Sequence, residues 1–485
     1  DGITATALLT RVLEHNGGLV APFLPHRFDD GYGFTPESLN KALEAIPGGK
    51  CGVLVTVDCG INSAEAVREA KRLGIDVIIT DHHEPADELP DSLATINPKT
   101  DLAHLEDLKH LSGVGVAFKL AHAFINYGRA HNEGGYTTDV QDLLDFVALG
   151  TVADIVPLLG ENRILVKHGM EILKKQLRPG VRALIEVARL SSNLHPSDIT
   201  FKLAPRLNAA GRLGNATSAL ELMMADDIVK SYSFARMLES FNQKRQAKEQ
   251  EIFQEAKKQV ESDPEFPRRM SIVAAGEEWH QGVIGIVASR FARDYNRPTI
   301  VLTIIGDEAH GSGRSVGSLN LIRILSKCSH LLTRYGGHPM AVGLGLAKDK
   351  VPEFQREFER CVREEATPGD LTNYVNYDGA VTLRELGGDF FSYYDLLSPF
   401  GHGNPTPMYL VRNVLVSKLH PIKPVHTKGV FTDDSGATYD FIAFNKKLEL
   451  NARLDVVVQP QINEYYGERR PQLQVADFKP AGADV

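Results

Sequence analysis

The sequence predicts a mixed α/β chain: a doubly wound parallel sheet, a long connecting helix, a second α/β unit and a β-rich tail. Three observations carry that reading. Near the start, β-branched apolar runs alternate with a helical stretch; residues 218–262 are helical and polar in the middle; after residue 407 short alternating runs replace helices. At 485 residues the chain has room for about two to four domains with their own cores.

The elements follow in order. "GVLVTV" (52–57) is nearly continuous and β-branched, as expected of a strand buried on both faces. "NSAEAVREAKRLG" (62–74) reads as a helix with Asn62 or Ser63 as its cap and Gly74 as its stop. "IDVIIT" (75–80) and "LATIN" (93–97) are further strands, and the βαβαβ order requires a parallel, doubly wound sheet. In "DLLDFVALGTVADI" (142–155), Leu144, Val147, Ala148, Thr151, Val152 and Ile155 recur at helical spacing, so a buried helix delivers Asp154 at its end.

Residues 218–262 form one long helix or two. Their middle, "NQKRQAKEQE", is polar on every side and suits a solvent-exposed connector. "SDPEFP" (262–267) ends it, and a second unit follows: strand "MSIVAAG", helix "GVIGIVASRFARDY", strand "PTIVLTII", then glycine-rich "HGSGRSVG" and "YGGHPMAVGLGL". Beyond "SPFGHGNPTP" (398–407), runs such as "MYLVRNVLVSKL" and "LDVVVQPQINEYY" mark a small β-barrel or sandwich. The expected units are residues 1–217, 218–262, 263–372 and 373–485.

Composition narrows the class. Hydrophobic residues make up 43% and charged residues 24%, an ordinary soluble globular balance. No apolar run reaches the roughly 18 residues of a membrane helix. Cys51, Cys59, Cys328 and Cys361 form no CxxC pair, which argues against a disulfide framework or zinc ribbon and for a reducing cytoplasm. The net charge of −9 disfavours nucleic acid coating a whole surface but permits a local basic groove. From Met408 onward ten Lys+Arg meet nine Asp+Glu, so the tail carries +1 and the first 407 residues −10, a weak pointer to an anionic partner at the tail. Asp1 opens the chain inside an apparent motif, "DGITATALL", so further residues are expected upstream of it.

The chemistry concentrates where strands end. Ligands of doubly wound sheets sit beyond the carboxyl ends of the strands. Asp58 follows "LVTV" and Asp81, His82 and His83 follow "VIIT", so both sets point to one edge on neighbouring strands. Asp1 stands at a helix start and Asp154 at a helix end. Any one of these alone reads more readily as a turn or cap residue. Four acids and two imidazoles around one cleft, however, are costly without bound cations. Mixed carboxylate and imidazole ligation favours Mn²⁺ over Mg²⁺, which prefers oxygen and water, though Mg²⁺ stays open. Two such ions suit phosphoester hydrolysis.

"DHH" after a strand, "VDCG" one βαβ unit earlier and "TVADIVPL" further on resemble the motifs of the DHH phosphoesterases. The resemblance implies that Asp1 is the last acid of the first motif, whose earlier acids are absent here, leaving one metal site in question. It implies further that Asp58 bridges two metals, that His82 and Asp154 are ligands, that Asp81 orients the histidines, and that His83 faces the scissile phosphate or its leaving oxygen.

Three further stretches suggest substrate contacts. "APRLNAAGRLG" (204–214) is expected to be a small-residue loop whose Arg206, Asn208 and Arg212 approach phosphate. "GSGRS" (311–315) has the composition of an anion nest, with Ser312, Arg314 and Ser315. "YGGHP" (335–339) sets Gly337 and His338 on flexible backbone. Each is an ordinary turn or surface segment by default; together they resemble the DHH-associated domain. Asn242 and Arg245 of "FNQKRQ" are expected to be structural first and substrate-facing second, and Trp279 to be packing.

The tail resembles an oligonucleotide-binding barrel. With it, the chain is similar end to end to the bacterial exonucleases specific for single-stranded DNA. That implies 5′→3′ removal of nucleotides in DNA recombination and repair by a cytoplasmic monomer, with a single-strand-binding protein and a helicase as partners. Phe431, Tyr439, Phe441, Phe444, Tyr465 and Tyr466 are available for base stacking, though such aromatics are more often barrel core. Two other readings compete: a phosphodiesterase for short oligoribonucleotides or cyclic dinucleotides, and a non-enzymatic scaffold with decayed ligands. The presence of Asp58, Asp81, His82, His83 and Asp154 counts against the scaffold. Removing residues after about 398 separates the first two, since an exonuclease would lose long-strand degradation yet still cleave short oligonucleotides.

Overall fold

The computed structural model describes residues 1–26, 33–46, 48–100, 108–131, 136–214, 216–422, 426–465 and 468–482. Strands β1 (Val53–Val57), β2 (Asp76–Thr80) and β3 (Ala94–Ile96) form a parallel sheet in that order. Both faces are covered, as the continuous apolar runs require. On one side α2 (Pro36–Glu44) and α3 (Ala64–Arg72) bury Leu39, Val67 and Ala70 against Val77 and Ile79. On the other, Val55, Val57 and Ile96 pack against the main core, built from α1 (Gly2–His15), α4 (Gly113–Ala130), α5 (Leu144–Ala153), α6 (Gly160–Lys175) and α7 (Pro179–Val187). Helix α3 starts after Ser63 and stops at Gly74, whose φ of +76° costs glycine little.

A single turn, α8 (Pro196–Asp198), runs through a π-helical stretch (199–203) into α9 (Ala204–Leu213). The helical region after it is two helices, α10 (Thr217–Met224) and α11 (Ile228–Glu261), the second capped by Asp227, which accepts from the Lys230 N–H at 2.7 Å. The polar stretch turns inward at the two positions expected to be structural first. Asn242 and Arg245 are buried, and the Arg245 guanidinium donates to Asn242 Oδ1 at 3.0 Å and to Glu249 at 2.9 Å. Polar side chains that satisfy one another along a helix can face a neighbouring element, so polarity alone does not mark the wet side.

The second sheet has the order β4-β5-β6-β8-β7, with β4 (Ile272–Glu277), β5 (Thr299–Ile305), β6 (Glu308–Arg314), β7 (Arg334–His338) and β8 (Ala341–Ala347). Helix α12 (Gln281–Tyr295) makes the parallel β4–β5 crossover; the other pairings are antiparallel. Helices α13 (Leu321–Lys327) and α14 (Val351–Glu365) complete its core.

The tail begins with β9 (Gly379–Ala380) and α15 (Phe390–Leu396). Strands β10 (Tyr409–Ile422), β11 (His426–Thr432), β12 (Thr438–Ala443), β13 (Arg453–Tyr465) and β14 (Glu468–Pro480) follow. Because β10 pairs with both β13 and β11, five strands close into a barrel, which decides between the barrel and sandwich readings. Phe431 and Phe441 are fully buried and stack at 4.0 Å between ring centroids, so they are core. The Tyr439 hydroxyl donates to the Leu386 carbonyl, while Phe444 stays exposed. Tyr466 and the side chain of Tyr465 lie outside the described residues. Among the described residues no helix is long and apolar enough to cross a membrane.

Candidate metal centre

Strand β1 ends at Val57, and Asp58 turns into the left-handed region (φ +60°) while its N–H still bonds to Thr80 O at 2.9 Å. Besides glycine, asparagine and aspartate adopt that conformation most readily, and here it turns the chain at the sheet edge. Strand β2 ends one residue before Asp81-His82-His83. Helix α5 stops at Asp154, its C-cap. These separate ends meet. His82 Nε2 lies 3.1 Å from Asp58 Oδ1, 3.5 Å from Asp154 Oδ2 and 3.9 Å from Asp1 Oδ2. Two overlapping donor groups, Asp58–His82–His83 and Asp1–His82–Asp154, each have their ligand atoms within 4.8 Å of one another.

The site is short of partners. Asp58 Oδ1 and His82 Nε2 are both buried without a hydrogen bond, facing each other at 3.1 Å. Buried ligand atoms with no hydrogen bond, close to further carboxylates, suit a bound cation. The donor set of three carboxylates and two imidazoles fits a divalent first-row ion. Asp154 agrees: burial and the Asp58 charge push its carboxyl upward against the pull of His82.

Asp81 is committed elsewhere. Its Oδ1 accepts from the His82 N–H at 2.7 Å and contacts His83 Nδ1 at 2.7 Å, and its Oδ2 accepts from the Ile61 N–H at 3.0 Å. Burial opposes its charge, but the His83 ring and the Ile61 and His83 N–H groups outweigh burial and hold its pKa below the usual range. The same bond raises His83 against the effect of its own burial, with the Asp58 and Asp154 charges adding to the rise. Cys59 is pushed up to about 12 by burial and by the Asp81 and Asp58 charges.

Sequence reasoning missed the support for Asp1. Its two carboxylate oxygens accept from Gly113 N–H (2.7 Å) and Val114 N–H (2.8 Å) at the start of α4, where the free amides of a helix N-terminus favour an anion. Gly113 is required, because a Cβ there would lie 2.6 Å from Asp58 Cβ and Oδ1. The run "SGVGV" was the available signal, but nothing local ties it to a residue 112 positions away.

The substrate motifs need correction. Residues 204–213 are the helix α9, not a loop: Ala, Leu and Arg are strong helix formers and Pro205 sits in the first turn, where it is tolerated. Arg206 Nε pairs with Glu239 at 2.6 Å and its Nη1 donates to Lys202 O at 2.6 Å, so its charge is already engaged; Asn208 is exposed. "GSGR" is the interior of β6, laddered on both sides, so its amides form no nest. Its glycines make room for apolar neighbours: a Cβ at Gly311 would meet Leu302 and Leu344, and one at Gly313 would meet Ile300 and Val342. Ser315 closes a turn through Leu319 O at 2.6 Å. Gly337 (φ +133°) and His338 lie on the exposed edge strand β7 rather than in a loop.

One cation stands out. Arg314 is half-buried, and among the described residues no carboxylate pairs with it; its Nη1 donates to Ser312 Oγ at 3.1 Å and Gly313 O at 2.7 Å. Burial lowers its pKa. Ser312 and Arg314 face Gly285 on α12, where a Cβ would lie 2.9 Å from Ser312 Oγ. Arg212 Nη1 reaches Gly282 O of the same helix at 3.1 Å.

Comparison with known proteins accounts for all three units. Family models described as "DHH family, N-terminal domain", "DHHA1 domain" and "RecJ OB domain" match residues 1–151, 269–364 and 377–477. The chain is 37% identical over 514 residues to the single-stranded-DNA-specific exonuclease RecJ of Dickeya dadantii, covering 99% of this chain and 86% of that one. It is 34% identical to the Bacillus subtilis RecJ, of whose length it spans 60%. The crystal structure of Thermus thermophilus RecJ in complex with Mn²⁺ matches with a TM-score of 0.82 at 29% identity, covering 99% of this chain and 68% of that one. This chain belongs to the RecJ family of single-stranded-DNA-specific exonucleases, within the DHH phosphoesterases.

Proposed function

We propose that this chain removes nucleotides stepwise, 5′→3′, from single-stranded DNA by hydrolysing terminal phosphodiester bonds with two Mn²⁺ ions. One observation carries the reading: Asp58 Oδ1 and His82 Nε2, both buried and neither hydrogen-bonded, lie 3.1 Å apart with the Asp154 and Asp1 carboxylates close by. Asp1, Asp58, His82 and Asp154 would hold the ions. When bound, these supply an activated water and neutralise a phosphoryl oxygen. The donor atoms gathered around His82 support divalent-cation binding, its imidazole favours Mn²⁺ over Mg²⁺, and the count of two is what the family resemblance implies.

The chain's own groups do the rest. Asp81 fixes the His83 ring through Nδ1, leaving Nε2 for the scissile phosphate or its leaving oxygen. The raised pKa of His83 suits it to donate a proton there. Arg314 with Ser312 is the proposed seat of the terminal phosphate, because a half-buried guanidinium with no carboxylate among the described residues suits an anion. Arg212, Asn208, Gly337 and His338 line the approach in this reading; Ser315 shapes its turn and Arg206 ties α9 to α11. The barrel tracks the strand. A cytoplasmic monomer acting beside a single-strand-binding protein and a helicase completes the proposal.

The test is digestion of single- and double-stranded DNA, labelled at either end, with Mn²⁺, Mg²⁺ or chelator. Mononucleotides released from the 5′ end of single strands only, and none in chelator, are expected. First release from the 3′ end, or equal digestion of duplex, would overturn the reading. Cleavage confined to oligoribonucleotides a few residues long would favour the small-substrate phosphodiesterase.

A further inference from the structure

The stretch "PFGHGNPTP" before the barrel makes contacts that strand tracking does not explain. Four residues past Asp154, the Leu158 N–H donates to the His402 carbonyl at 2.7 Å, and Leu158 is buried. The turn that supplies this carbonyl is closed by Gly401 and Asn404, which exchange backbone bonds at 2.9 and 3.2 Å. Asn404 Nδ2 laces it further, donating to Leu397 O at 2.9 Å and Pro399 O at 2.8 Å. Arg163 of α6 holds the preceding helix by donating to Leu396 O at 3.1 Å and Leu397 O at 2.9 Å.

The fit is tight. A Cβ at Gly401 would lie 2.7 Å from Leu158 Cδ1, and one at Gly403 (φ +74°) would lie 2.9 Å from Pro157 Cβ. From the opposite side, buried Asn162 donates to Pro157 O at 3.0 Å. The peptide joining Pro157 to Leu158 is thus gripped at its carbonyl by the first unit and at its N–H by the tail. Between it and helix α5 lie only Asp154, Ile155 and Val156. Ile155 has a φ of +60° and an exposed side chain. Its N–H bonds back to Val152 O at 3.4 Å, and the Asp154 N–H to Gly150 O at 2.9 Å, so beyond these helix-end bonds the clamp at 157–158 is the next fixed point.

We propose that the Gly401–Asn404 turn is a positioning element of the catalytic centre, clamping residues 157–158 and thereby fixing where the Asp154 carboxylate stands. The proposal rests on the functional reading above, in which Asp154 is a metal ligand. It revises one expectation from the sequence: the tail is then needed for cleavage of substrates too short to reach the barrel.

The test uses the full chain carrying Gly403→Ala, which pushes on Pro157. Mn²⁺ affinity is read from the resonance of free Mn²⁺, and kcat and KM are measured on a trinucleotide. The expected result is Mn²⁺ bound about tenfold more weakly and a lower trinucleotide kcat at unchanged KM. Metal-free binding of a long oligonucleotide should stay at the wild-type level. Wild-type Mn²⁺ affinity and trinucleotide kcat in a cooperatively melting variant would overturn the proposal, as would a defect confined to long strands. Should Gly403→Ala fail to fold, Asn404→Ala loosens the turn without touching Pro157 and is judged by the same readings. Mn²⁺ binding that depends on the turn, without cleavage of any strand, would sink the functional reading alone; no Mn²⁺ binding by the unsubstituted chain would sink both.

Discussion

Asp58 combines a left-handed backbone, a buried unpaired carboxylate oxygen and a glycine at position 113 that could not be anything larger. The buried oxygen without a hydrogen bond is what a bound cation would satisfy. Asp58→Asn should therefore lower Mn²⁺-dependent cleavage by about a thousandfold, the several kcal/mol of charge stabilisation a metal provides; steady-state rates on an end-labelled single strand measure it. Arg314 makes the second residue-level case. Arg314→Ala should depress cleavage of 5′-phosphorylated ends more than Asp81→Ala alters end preference, because in the proposed reading Arg314 seats the terminal phosphate whereas Asp81 bonds His83. Wild-type rates on both 5′-phosphate and 5′-hydroxyl ends would remove Arg314 from the phosphate site. Asp58, Asp81, His82, His83 and Asp154 were legible in the sequence because each marks the end of a recognisable element. The Asp1 cradle was not, since its amides come from 113 and 114.

Elements were read well where periodicity was strong and poorly where glycine was dense. Strands β1 to β3 and helices α3 and α5 fall where the apolar pattern put them. Strand β6 was mistaken for a loop because Gly311 and Gly313 look like turn residues until Leu302, Leu344, Ile300 and Val342 are seen to occupy the missing Cβ space. A short element at the end of the second unit carries its own prediction. Asp370 accepts from the hydroxyls and N–H groups of Ser318 and Thr367, bonds that hold its carboxyl well below the usual range. A carboxylate with a depressed folded pKa contributes stability that is full above its unfolded value, about 3.9, and drains away as pH falls through the folded value. Asp370→Asn should thus be less stable than the parent at pH 7, with the gap closing as pH drops below about 4. Urea midpoints at pH 7 and pH 3 measure it, and a gap that widened on acidification would contradict the assignment.

Across the whole molecule, separate cores in the first unit, the second sheet and the barrel mean that metal binding should be felt locally. Mn²⁺ at about a hundred times its dissociation constant should stabilise the unit bearing the cluster by about 2.7 kcal/mol, by mass action on the folded state. Scanning calorimetry should show that unit's transition rising with Mn²⁺ in the parent and staying put in Asp58→Asn. What the sequence by itself determined was local: where apolar periodicity begins and stops, and which polar side chains stand at the stops. Those follow from backbone geometry and neighbours a few residues away, so they can be read along the chain. Tertiary structure alone decided the closure of the barrel by β10 with β11 and the burial of Asn242 and Arg245. It also decided the grip of the 401–404 turn on Leu158, 244 positions from the carbonyl it meets at His402. Such contacts depend on which surfaces fit once the units have packed, and no local pattern encodes the fit.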